Sequence, residues 1–149
     1  MLDYVKELIE TSNKLNIEIC LLNENEAQGY IRAVLAFYNP FKTDGHLGIG
    51  KNTVSIPTEK YEFTYSHYLK EEPAYVFWGQ DSNIARKTVV KVNNAKRLGE
   101  LFENSYGMEY FVSNETMDYL IAVNWYTIEI AGLASQYLLP LIYREKEIN

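Results

Sequence analysis

Only one cysteine, Cys20, occurs in the chain, so no internal disulfide forms and packing alone must hold the fold. The same scarcity fits a reducing compartment, and a cytoplasmic protein is expected. Histidine is nearly as rare: His46 and His67 are the only two. Neither has a second His or Cys at ligand spacing, whereas a zinc site takes three or four such ligands. No metal and no cofactor is therefore expected. No stretch approaches the roughly 18 consecutive apolar residues of a membrane helix. The opening Met1-Leu2-Asp3-Tyr4-Val5-Lys6-Glu7 has no basic leader running into an apolar stretch, so no secretory signal is expected. Positive charge is in deficit too. Lys and Arg number 14 against 20 Asp and Glu, a formal net charge of −6, which argues against binding nucleic acid by neutralising phosphates. No Gly-x-Ser-x-Gly elbow is present, and Cys20 has no identifiable histidine partner.

The 149 residues that remain to be explained are 47% hydrophobic, ordinary for one globular domain. A chain of this length buries roughly 68–70% of its unfolded surface, enough for a core without staples. Tyrosine is the outlier, with 13 residues. Its ring packs while its hydroxyl stays wet, which suits both sheets and interfaces, so an exposed aromatic patch is expected.

The periodicity predicts one α+β domain. Leu2, Val5, Leu8 and Ile9 recur at helical spacing, giving a helix to about Leu15. Residues 17–22 form a short apolar run that reads as a strand, in which Cys20 is expected to be a buried structural thiol. Asn23 with Glu26 is a capping-box pattern opening a second helix, which Asn39-Pro40 closes. Residues 53–56 read as a strand stopped by Pro57. Thr58 is placed to cap a helix running to about Leu69, although Tyr61, Phe63 and Tyr65 also alternate as a strand would. Residues 74–78 and 88–92 read as antiparallel partners across a turn at 79–83. Asn94 caps a helix carrying Leu98, Leu101 and Phe102. Residues 108–113, 119–124 and 127–130 are three more strands, and their short connections force antiparallel neighbours. A last helix follows Gly132, with Pro140 kinking or breaking it. The sum is a mostly antiparallel sheet of five to six strands with helices packed on one face.

Two places carry candidate chemistry. Gly45, Gly48, Gly50 and Lys51 nearly spell a phosphate-binding loop. The pattern then needs Ser or Thr for magnesium where this chain has Asn52, and it needs a preceding strand and a following helix. A small-ligand or nucleotide site there, with weak hydrolase activity, is the alternative expectation. The second place is Asn124-Trp125-Tyr126, between two short strands. Two adjacent large aromatics at a hairpin tip are an anchor for a partner, unless Trp125 folds under and closes the core. Glu109, Glu115, Asp118 and Glu129 fall in or beside the last strands, where alternation assigns charged side chains to the wet face.

The order Tyr106-Gly107-Met108-Glu109-Tyr110-Phe111-Val112-Ser113, then Asp118-Tyr119-Leu120-Ile121-Ala122-Val123-Asn124, then Ile128-Glu129-Ile130-Ala131-Gly132 resembles small bacterial proteins of the toxin-immunity kind. The resemblance covers roughly residues 73–132. It implies a cytosolic protein that acts by binding another protein, such as a toxin or a defence protein of bacterium or phage. Where those proteins carry an acidic-Asn-His segment after the second strand, this chain has Val123-Asn124-Trp125-Tyr126, so no histidine role carries over. The expectation is a non-enzymatic binding module anchored by Trp125, Tyr126 and Asn124. A homodimer that buries the aromatics is a third reading.

Overall fold

A computed structural model of the protein describes residues 1–50 and 53–148. Seven strands form a single antiparallel sheet: β1 (Ile19–Leu21), β2 (Val54–Pro57), β3 (Ala74–Phe77), β4 (Val90–Val92), β5 (Tyr110–Ser113), β6 (Tyr119–Val123) and β7 (Thr127–Gly132). Their order across the sheet is β1-β4-β3-β5-β6-β7-β2, and every pair is antiparallel. The fold class is the expected α+β, with one strand more than the upper expectation. The strands read at 17–22 and 53–56 both join the sheet, as its two edges.

Central strands buried on both sides read as near-continuous apolar runs, and β3, β5 and β6 do. Along them the period of two splits the core. Ala74, Val76, Tyr110, Val112, Tyr119, Ile121 and Val123 face a larger core; Tyr75, Phe77, Phe111, Leu120 and Ala122 face a smaller one. The larger core is closed by α1 (Asp3–Leu15), α4 (Leu98–Glu103), α5 (Ala134–Tyr137) and α6 (Leu139–Ile148), through Val5, Leu8, Leu101, Phe102, Leu138 and Leu141. Packing on one face only was expected, and it holds for these helices but not for α2 (Glu24–Tyr38). That helix covers the opposite face, where it inserts Ala27, Ile31 and Val34. A segment at 41–50 adds Leu47 and Ile49 to that face.

Helix boundaries follow the caps. Asn23 accepts from the Glu26 amide at 2.8 Å, satisfying one amide that a helix start otherwise leaves orphaned, and its side-chain amide donates to the Glu26 carboxylate. Asn39 ends α2 in the left-handed region, with φ of 44°. Asn94 accepts from the Lys96 amide. The final helix divides at Leu138, just before Pro140 in α6, as a missing N–H in mid-helix requires.

Two local expectations are corrected. The segment from Thr58 to Leu69 is not one helix: α3 (Thr58–Tyr61) stops after one turn and a 3-10 turn follows at Tyr65–Tyr68. Thr58 does not cap it, because its hydroxyl donates instead to the Asn124 carbonyl at 2.8 Å. Ser66 is buried and accepts the Gly99 amide at 2.9 Å, a position that continuous helix would carry away. Cys20 is exposed, not buried. It lies on edge strand β1 opposite Lys91, on the side away from the larger core toward which Ile19 packs.

Candidate functional site

The β6–β7 connection is Asn124-Trp125-Tyr126, and Asn124 builds it. Its amide donates to the Thr127 carbonyl at 3.0 Å. Its side-chain oxygen accepts from the amides of Tyr126 and Thr127, both at 2.8 Å, a short polar side chain standing in for backbone in a turn. Its side-chain NH2 donates to the Leu47 carbonyl at 2.9 Å and to Thr127 Oγ1 at 3.3 Å. Asn124 is only 8% exposed, so it braces the tip and offers no surface of its own. The aromatics beside it stand outward: Trp125 is 52% and Tyr126 70% exposed. Trp125 neither closes the core nor projects freely. Its ring lies on Gly107, where a Cβ would come within 2.9 Å of Cζ3, so glycine is what lets the indole settle. The Tyr126 ring meets His46 edge-on at 5.4 Å.

The glycine-containing segment at 41–50 folds back on itself: the Phe41 amide donates to the Ile49 carbonyl, and Lys42 and Gly48 exchange both backbone bonds, all at 2.9–3.0 Å. Two carboxylates hold it, one just ahead of β5 and one in β7. Glu109 Oε1 accepts from the Leu47 amide at 3.1 Å, and its Oε2 lies 2.7 Å from His46 Nδ1. Glu129 Oε1 accepts from the amides of Ile49 and Gly50 at 3.0 and 3.2 Å. The amides of Leu47, Ile49 and Gly50, near the glycines a phosphate cradle would use, are therefore satisfied by side chains of the protein itself. The segment leads into β2, not into a helix. An incoming phosphate would meet two carboxylates in place of free donors. Lys51 lies outside the described residues.

Glu109 and Glu129 overturn the assignment of these acids to the wet face. The Glu109 side chain is 10% exposed, and Glu129 alternates with Ile128 and Ile130 of the larger core. It thus points to the other side of the sheet, where the segment at 41–50 lies over it. The one legible signal was an acid alternating in a strand whose two faces are both covered. His46 and Glu109 stand 63 residues apart, and nothing local in the sequence pairs them. His67 is exposed, in the 3-10 turn at Tyr65–Tyr68. Among the described residues, no three His, Cys, Asp or Glu side chains gather to hold a metal ion, and no helix is long and apolar enough to cross a membrane.

Beside the tip, a cleft of about 420 Å³ opens between the segment at 41–50, the turn after β3 and the start of α1; Trp125, His46 and Glu109 are in its wall. A second, more apolar groove of about 870 Å³ runs past Phe37, Phe41 and Ile49, with both phenylalanines exposed. The expected exposed aromatic patch thus occurs at two places. No family model, curated protein or solved structure matches the chain; the fold and the site stand on their own residues.

Proposed function

We propose that this protein is a non-enzymatic binding module that docks onto another protein through the β6–β7 tip, in the manner of an immunity protein or an inhibitor acting inside a bacterial cell. One observation carries the reading: Trp125 and Tyr126 are half or more exposed on a turn whose backbone amides are held by two side-chain hydrogen bonds of Asn124, which a third ties to the Leu47 carbonyl. Large aromatics lose little conformational entropy when they are already held in place, and such residues dominate protein interfaces. The net charge of −6 favours a basic partner and speeds the encounter with it.

The test uses the Trp125→Ala/Tyr126→Ala protein as bait beside the parent, each checked by circular dichroism. Both side chains are exposed, so the double variant keeps its fold. A partner held by the parent is expected to be lost or weakened by about 30-fold or more, the effect of roughly 2 kcal/mol at a hot spot. Unchanged capture of every partner would refute the tip as anchor. A nucleotide panel gives the complementary result. No thermal stabilisation is expected, whereas a true ligand at 100 times its Kd adds about 2.7 kcal/mol.

A further inference from the structure

The cleft beside the tip has a chemistry of its own. Three aromatic rings line it: Tyr4 and Trp78, whose planes are 11° apart with centroids 6.3 Å apart, and Trp125. Tyr4 and Trp125 are about half exposed and so have free ring surface. Two carboxylates join them, Glu109 and Asp81, against one ammonium, Lys42. Glu109 is held in place by the Leu47 amide and His46 Nδ1. Asp81 is exposed and makes no ion pair among the described residues. Acidic side chains thus outnumber the lysine, and the cleft is walled by π faces.

We propose that this cleft is the socket for one arginine side chain of the protein partner; the proposal rests on the docking reading above and names the chemistry that reading leaves open. A guanidinium is flat, permanently charged and weakly hydrated. It stacks on indole and phenol faces and bonds a carboxylate through two parallel N–H groups. An ammonium has no flat face to stack and gives up its water less readily. Asp81 and Glu109 supply the acceptors, Trp125 and Tyr4 the ring faces. Lys42 opposes the guest, since its Nζ lies at the Gly45 rim, 3.4 Å from where a Cβ on that glycine would be. Its side chain therefore sets a sign that separates this occupant from an anionic one.

The experiment titrates the protein with N-acetyl-arginine amide and with its neutral isostere N-acetyl-citrulline amide, following the indole N–H signals by NMR at low salt. The arginine compound is expected to shift the Trp125 signal saturably and the citrulline compound to bind about tenfold more weakly, a difference of ~1.4 kcal/mol. Asp81→Asn weakens arginine binding several-fold, and Lys42→Ala strengthens it, a gain that misfolding cannot imitate. Equal binding of the two compounds, or weaker arginine binding by Lys42→Ala, overturns the socket. The two readings fail separately. A partner lost by Trp125→Ala/Tyr126→Ala but bound with unchanged affinity by both Asp81→Asn and Lys42→Ala removes the socket and leaves the docking tip. A partner kept by the double variant removes the tip itself.

Discussion

Tyr65 and Tyr110 share a hydrogen bond of 2.8 Å between hydroxyls in the larger core, and Phe102 stacks on Tyr110 at 4.0 Å with planes 3° apart. Tyr119 lies in the same core, but its hydroxyl has no partner among the described residues. The two hydroxyl environments have opposite consequences. Tyr65→Phe strands the Tyr110 hydroxyl and is expected to cost about 1–3 kcal/mol. Tyr119→Phe removes a desolvated group that bonds nothing, so it is expected to be neutral or stabilising. Chemical denaturation of the two variants checks the pair, and equal losses would mean that Tyr119 has a bonded partner in solution. Burial pushes the hydroxyls of Tyr65, Tyr110 and Tyr119 up from their ordinary range near 10. A group whose folded pKa is raised stabilises below its unfolded value and loses that contribution as pH rises toward the folded one. Stability is therefore expected to fall above about pH 10, with tyrosinate absorbance from these residues rising as circular dichroism is lost.

At the scale of elements, the tip and the segment at 41–50 are one unit. Asn124 bonds the Leu47 carbonyl, and Glu109 bonds both the Leu47 amide and His46. Asn124→Ala is expected to cost about 1–3 kcal/mol. It also loosens both pieces together, raising hydrogen exchange at Tyr126, Thr127 and Leu47. Protection lost at the tip alone would show that they are independent. Much of the architecture around this unit was legible. The spacing of Val5 and Leu8, the Asn23–Glu26 cap and the apolar runs of β3, β5 and β6 each encode their element locally. The β5-β6-β7 meander follows from connections too short for a crossover. The tip itself was legible as two aromatics between strands. What the sequence hid is what depends on distant partners. The exposure of Cys20 depends on β1 being an edge strand. The break after Tyr61 depends on Ser66 reaching Gly99. The roles of Glu109 and Glu129 depend on a segment some 60 to 80 residues earlier in the chain lying over the sheet. No local pattern predicts such contacts, because periodicity reports which side chains share a face and not what covers that face.

At the scale of the whole molecule, seven strands make an open sheet, and an open sheet has two edges. Both edge strands are short, three residues in β1 and four in β2, and β2 ends in a proline, which cannot donate to a neighbour. Natural sheets restrain edge-to-edge association by such means. Sedimentation at tens of micromolar is therefore expected to give a monomer, and a dimer that dissociates in the Trp125→Ala/Tyr126→Ala variant would instead favour burial of the tip against a second copy.

The edge strands come from the first half of the chain, while the five strands between them all come from residues 74–132. β1 pairs with β4, and β2 with β7 alone. On a ribosome, residues 54–57 emerge with nothing to pair with until Thr127–Gly132 has been made. Contacts of such long sequence separation form slowly. The nascent N-terminal half thus has to wait, its hydrophobic side chains uncovered, for the part of the sheet that completes it.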